Sequence, residues 1–261
     1  MRTRGWFMPI AGMLTATAWL ALWIWEQSPY GRYLDHGRWT ELGLAAAICR
    51  VVPAGDVALP LLLYAGGWLL MIAAMMLPTV LPLLHLFERL VEARPERGRL
   101  IALVICGYLL AWGGFGAAAH LLDLGVHEAA RRGAWASLYG WAIGAAVLAV
   151  AGLFQFSGLK YRCLDKCRTP YSFIVQHWHG PAPHRSSLSL GLHHGLFCVG
   201  CCWAIMLLMF VVGTGNVGWM LLLGAVMALE KNAPWGRRLS HPLGAVLLAA
   251  SGLVAGANLL A

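Results

Sequence analysis

Residues 191–230 read GLHHGLFCVGCCWAIMLLMFVVGTGNVGWMLLLGAVMALE, and this stretch decides the fold. Two apolar runs are joined by Gly213, Thr214, Gly215 and Asn216. A connection that short predicts two helices lying antiparallel and in contact. On the first run His194, Cys198, Cys201, Cys202, Met206 and Met209 recur at steps of three and four, which puts them on one helical face. That face is a ladder of imidazole, thiol and thioether. Such donors suit soft or borderline metals, Cu(I) first, with zinc or iron as alternatives.

The rest of the chain gives this ladder an apolar setting. Of 261 residues 60% are hydrophobic and 11% charged, with a mean hydropathy of +0.68. A soluble domain carries roughly 25% charged residues, so the expected class is an all-α, polytopic transmembrane bundle forming a single domain over residues 1–261. Runs approaching the ~20 residues a helical span requires fall near 6–25, 58–87, 100–122, 134–156, 192–212, 217–229 and 243–260, which makes seven spans. The run at 217–229 is short and leans on its partner.

Lysine and arginine set the expected orientation, because positive loops are retained in the cytoplasm. With the N-terminus inside, 14 of the 19 Lys and Arg residues fall on inner segments, among them Arg94, Arg97, Lys160, Lys166, Arg168, Lys231 and Arg237. The net charge of +8 then reads as a topology signal plus attraction to anionic lipid headgroups, and nucleic acid is not expected as a partner. Arg2, Arg4 and Ala16-Thr17-Ala18 give Met1 to Trp25 some features of a signal sequence, but the apolar run continues past that point, as in a retained anchor. The expected location is a membrane, with the positive segments on its cytoplasmic side. Seven cysteines are an odd number, and at least five of them fall on or near the cytoplasmic side, where thiols stay reduced. Metal or redox chemistry is therefore expected ahead of a disulfide framework.

Other segments add donors. MIAAMMLPTVLP (residues 71–82) carries Met75 and Met76 ahead of Pro78 and Pro82. Prolines that open a helix inside a bilayer call for surrounding protein, so this span belongs at the centre of the bundle. In the expected inner loop 158–190, Cys163 and Cys167 lie one helical turn apart among Lys160, Arg162, Lys166 and Arg168, and such positive charge favours the metal-binding thiolate. His177 and His179 flank Trp178 in the same loop and suggest an entry site, against the alternative of a solvated connection. On the second run of the quoted stretch Met220, Met227 and Glu230 follow at steps of seven and three. Glu230 either completes a coordination sphere or pairs with a lysine or arginine. Cys49, within the segment Trp39 to Val52 that reads as an interfacial helix, is taken as a buried filler.

The blocks MIAAMMLPTVLP, FQFSGLKYRCLDKCRTP and GLHHGLFCVGCCWAIM resemble a bacterial family described as predicted metal-binding integral membrane proteins, over roughly Gly66 to Trp235. The resemblance implies a helical membrane fold and a metal site built from Met75, Met76, Cys163, Cys167, His194, Cys198, Cys201, Cys202 and Glu230. It identifies neither the metal nor the activity. Thr214-Gly215 departs from the family, which more often has an apolar residue and a methionine there.

Three functions follow as expectations. The first is copper handling: Cu(I) is taken at the Cys/His group, held or relayed by Met206 and its neighbours, and supplied to a membrane or periplasmic cuproprotein. The second is an intramembrane metal-dependent oxidoreductase, or a subunit of one, in which Tyr108 takes part. The third is a structural assembly factor.

Overall fold

The computed structural model describes residues 7–28, 58–132, 135–179, 181–212 and 216–259. The expected interfacial helix with Cys49, and the turn at 213–215, lie outside them. Among the described residues every regular element is a helix: α1 (Phe7–Gln27), α2 (Ala58–Leu90), α3 (Arg97–Arg132), α4 (Trp135–Phe154), α5 (Gly158–Arg168), α6 (Pro170–His177), α7 (Pro183–Val212), α8 (Val217–Asn232) and α9 (Gly236–Leu259).

Four of these, α2, α3, α7 and α9, are long and apolar enough to cross a membrane, and α4 with α5 makes a fifth if that pair counts as one span. Seven were expected. α4 and α5 meet at a bend of 63°, and α8 has 16 residues, about 24 Å of helix against a hydrocarbon core of about 30 Å. The bend is fixed locally: the Ser157 hydroxyl caps α5 by accepting from the Lys160 backbone N–H at 3.1 Å. Residues 158–190, expected as a loop, therefore hold two short helices and the opening turns of α7.

α7 is the central helix and packs most extensively along α3. The contact runs through glycine: a methyl group on Gly107 would run into the Leu188 carbonyl of α7, and one on Gly191 into the Val104 carbonyl of α3. Gly191 and Gly195 are spaced as small residues that let two membrane helices touch backbone to backbone. α2 closes a second side despite Pro78 and Pro82, with the Thr79 hydroxyl donating to the Met76 carbonyl at 2.8 Å. Leu14, Leu153 and Leu253 are more than half exposed, an apolar outer surface of the kind lipid covers.

Candidate metal centre

The ladder on α7 is a face in three dimensions, and it points inward. His194, Cys198, Cys201, Cys202, Met206 and Met209 are all buried, none more than 3% exposed. Midway along its length α7 meets α3, α5 and the closing end of α8, and Cys198 is the point where they converge.

Three groups reach the Cys198 sulfur. Lys231 at the end of α8 donates from Nζ to Sγ at 2.8 Å. The Tyr108 hydroxyl of α3 lies 3.0 Å from the same atom. Cys167 of α5 stands beside Cys198 and Cys201. Cys201 donates its thiol to the Cys198 carbonyl at 3.1 Å, and its sulfur is 3.4 Å from that of Cys202. The Lys231 ammonium interacts electrostatically with Cys198, Cys201, Cys202 and Cys167. An ammonium held this way stabilises negative charge on sulfur through a charge-assisted hydrogen bond.

Cys163 sits one turn before Cys167 and is buried against the back of the ladder. It reaches that position because of Gly200, where an added methyl would stand 2.7 Å from the Cys163 sulfur. His194, one turn before Cys198, packs beside Tyr108 with ring centroids 6.1 Å apart, and its Nδ1 is buried without a hydrogen-bond partner.

Met75 and Met76 of α2 are buried, as are Met220 and Met227 of α8. The inward stripe of α8 runs Met220, Gly224, Met227, Lys231, and Gly224 faces Met75 across the contact with α2. Lys231 continues that stripe and touches the Thr79 hydroxyl at 3.5 Å. Glu230 turns the other way. Both its oxygens accept from Lys160 of α5, at 2.7 and 2.8 Å, and the Ser240 hydroxyl of α9 donates to one of them at 2.8 Å. Lys160 also donates to Gln155. Below this pair Arg168 fastens α5 to the end of α8, donating to the Glu230 and Pro234 carbonyls.

Lys231 and Thr79 are the members of this corner that pattern reading passed over. Lys231 follows Met227 by four residues and Gly224 by seven, so the helical period was sufficient to place it. The adjacent carboxylate drew attention because acids are commoner metal ligands.

Among the described residues no three or more His, Cys, Asp or Glu side chains form a group that could hold a metal ion as they stand. The donors nevertheless suit a soft monovalent cation. One cation, the Lys231 ammonium, already lies against sulfur, and the buried Nδ1 of His194 lacks a partner.

Among the described residues, helices of membrane length and a buried corner of thiols define the class: a helical protein apolar enough for a bilayer, with soft donors inside it. More specifically, residues 65–254 match the PpoB2 family model, described as a copper chaperone, and the chain belongs to that family. No curated protein and no solved structure matches it.

Proposed function

We propose that this chain is a membrane copper chaperone that takes Cu(I) on the thiols of Cys167, Cys198, Cys201 and Cys202. Cys163 and His194 support that group, and the buried thioethers of Met206, Met75 and Met76 hold or relay the ion toward a membrane or periplasmic cuproprotein. The observation that carries this reading is the contact of the Lys231 ammonium of α8 with the buried Cys198 sulfur of α7 at 2.8 Å, with the buried thiols of Cys201 and Cys202 beside it. Cu(I) is satisfied by few soft ligands, so two or three of these sulfurs suffice. With Cu(I) bound, a thiolate pair keeps one net negative charge, which the Lys231 ammonium offsets, and neutral thioethers receive a monovalent ion in an apolar interior without burying further fixed charge. In this reading Glu230 serves as the partner of Lys160.

The test is elemental analysis and anaerobic Cu(I) titration of the detergent-purified protein, beside a Cys167→Ser/Cys198→Ser variant. The expected result is sulfur-bound copper in the parent and its loss in a variant that elutes at the same position on size exclusion. Equal copper in the two proteins would refute the assignment. Loss of copper only together with loss of folded protein would favour the structural assembly role.

An oxidoreductase is the second reading, and one feature favours it. A cavity of about 460 Å³ between α1, α2, α3 and α7 is lined almost wholly by apolar side chains, with Tyr108 and His194 in its wall. Copper that cycles between oxidation states with a lipophilic substrate would point to an enzyme; copper that stays Cu(I) and moves to an acceptor points to a chaperone.

A further inference from the structure

We propose that His177 and His193 form a second metal site, a receiving station for Cu(I) at the mouth of the sulfur corner. This deepens the copper reading above and rests on it. His177 closes α6, and His193 lies on α7 just before the ladder; both are at least partly open to solvent. Their ring centroids are 5.3 Å apart, a separation that one ion can bridge with metal–nitrogen bonds of about 2 Å.

The hydrogen bonds prepare both rings in the same way. His177 Nδ1 lies 3.0 Å from the Phe173 carbonyl, and His193 Nδ1 lies 2.8 Å from the Ser189 carbonyl, with the Ser189 hydroxyl farther off at 3.2 Å. A carbonyl oxygen only accepts, so in each neutral ring Nδ1 carries the proton and Nε2 carries the lone pair. Metal-binding histidines are commonly held like this, with one nitrogen tied to a carbonyl and the other presented to the ion.

The pair is connected inward. Phe173 stacks on His177 at 4.2 Å and meets His194 edge-on at 5.2 Å, and His194, with its unpartnered Nδ1, precedes Cys198 by one turn. The row therefore runs from two solvent-facing imidazoles, past one buried imidazole, to thiols. Ligand softness rises along it, so a Cu(I) ion captured outside gains affinity as it moves in. His184 does not join the pair: its ring lies against Glu96 at 3.1 Å.

The experiment uses the full chain in detergent, Cu(I) delivered from a chromophoric chelator without oxygen, and X-ray absorption to identify ligands. In the Cys167→Ser/Cys198→Ser background a weaker, nitrogen-bound copper should remain, and His177→Asn/His193→Asn should remove it. With the cysteines intact, the same histidine changes should leave final sulfur-bound copper unchanged while slowing its loading roughly tenfold, the scale of a lost supporting ligand. Unchanged loading, or nitrogen-bound copper that survives the histidine changes, overturns the pair. Nitrogen-bound copper at the pair in a parent protein that never shows sulfur ligation would instead overturn the copper reading and leave the pair standing. A time course of the parent needs no variant: nitrogen ligation at the earliest time, giving way to sulfur, is the expected sequence, and sulfur alone from the start refutes it.

Discussion

Glu230 and Lys231 are neighbours in the chain, and each anchors a different buried corner. On one side Lys160 meets the Glu230 carboxylate, the Gln155 amide and, through Glu230, the Ser240 hydroxyl. Opposite charges are matched there and the ammonium has hard oxygen partners on both sides. On the other side Lys231 meets a sulfur and, more distantly, a threonine hydroxyl, with three further thiols nearby. Both lysines are almost wholly buried, so both would be costly without partners. The first corner is closed by its own residues and ties α5, α8 and α9 together. The second has donors to spare, and its cation is held by the softest acceptors in the molecule. A lock and, in the proposed function, a receptor for a cation thus occupy successive residues of one helix.

The largest expected effect breaks the lock. Lys160→Met leaves the Glu230 carboxylate buried and unpaired, which should cost about 3–5 kcal/mol and be read as a lowered thermal transition and a poor folded yield. Lys160→Met/Glu230→Met should recover most of that loss, because a volume-matched apolar pair replaces a satisfied ion pair at little cost. Failure of the double variant to recover would mean that Glu230 has a duty beyond pairing, such as ligation.

Next is the receptor. Cys198→Ser should lower Cu(I) affinity by more than about 100-fold, beyond the 10- to 100-fold typical of a supporting residue, with little change in thermal transition. An equal loss of stability would erase the contrast between the corners. Lys231→Met should fall within that supporting range, about 10- to 100-fold, since it removes the charge that balances the thiolates while sparing every ligand. Lys231→Arg should restore most of it. Competition titration with a Cu(I) chelator measures all three variants.

Much of this was legible in the sequence because helical period and hydropathy are local. The ladder from His194 to Met209 needed only steps of three and four, and burial of all six side chains follows from one helix at the bundle centre. Residues 158–190 were harder. Their charged residues resemble a loop to a hydropathy reading, yet Ser157 and Pro170 begin helices there, and the bend after Phe154 returns Cys163 and Cys167 beneath α7. Lys231 was half legible: the helical period puts it on the Met220–Met227 stripe, but not against sulfur. A lysine at the end of an apolar run reads as a topology marker, and only packing against α2 and α7 brings it to Cys198. His193 lies about 100° around the helix from His194, outside the ladder, so its meeting with His177 depended on where α6 docks.

The smallest expected effect separates filling from function along the thioethers. Met206 and Met209 are fully buried, and methionine is a common filler of irregular cores. Leucine conserves their volume and removes the sulfur, so Met206→Leu/Met209→Leu should cost less than about 1.5 kcal/mol and leave Cu(I) affinity at Cys198 unchanged. What should change is departure: in proteoliposomes loaded from one side, copper should reach a chelator on the other side more slowly than in the parent. Equal rates would make these methionines packing alone and confine the metal chemistry to the Lys231 corner. Slower release with unaltered loading would extend it along α7, away from the lock that Glu230 keeps shut.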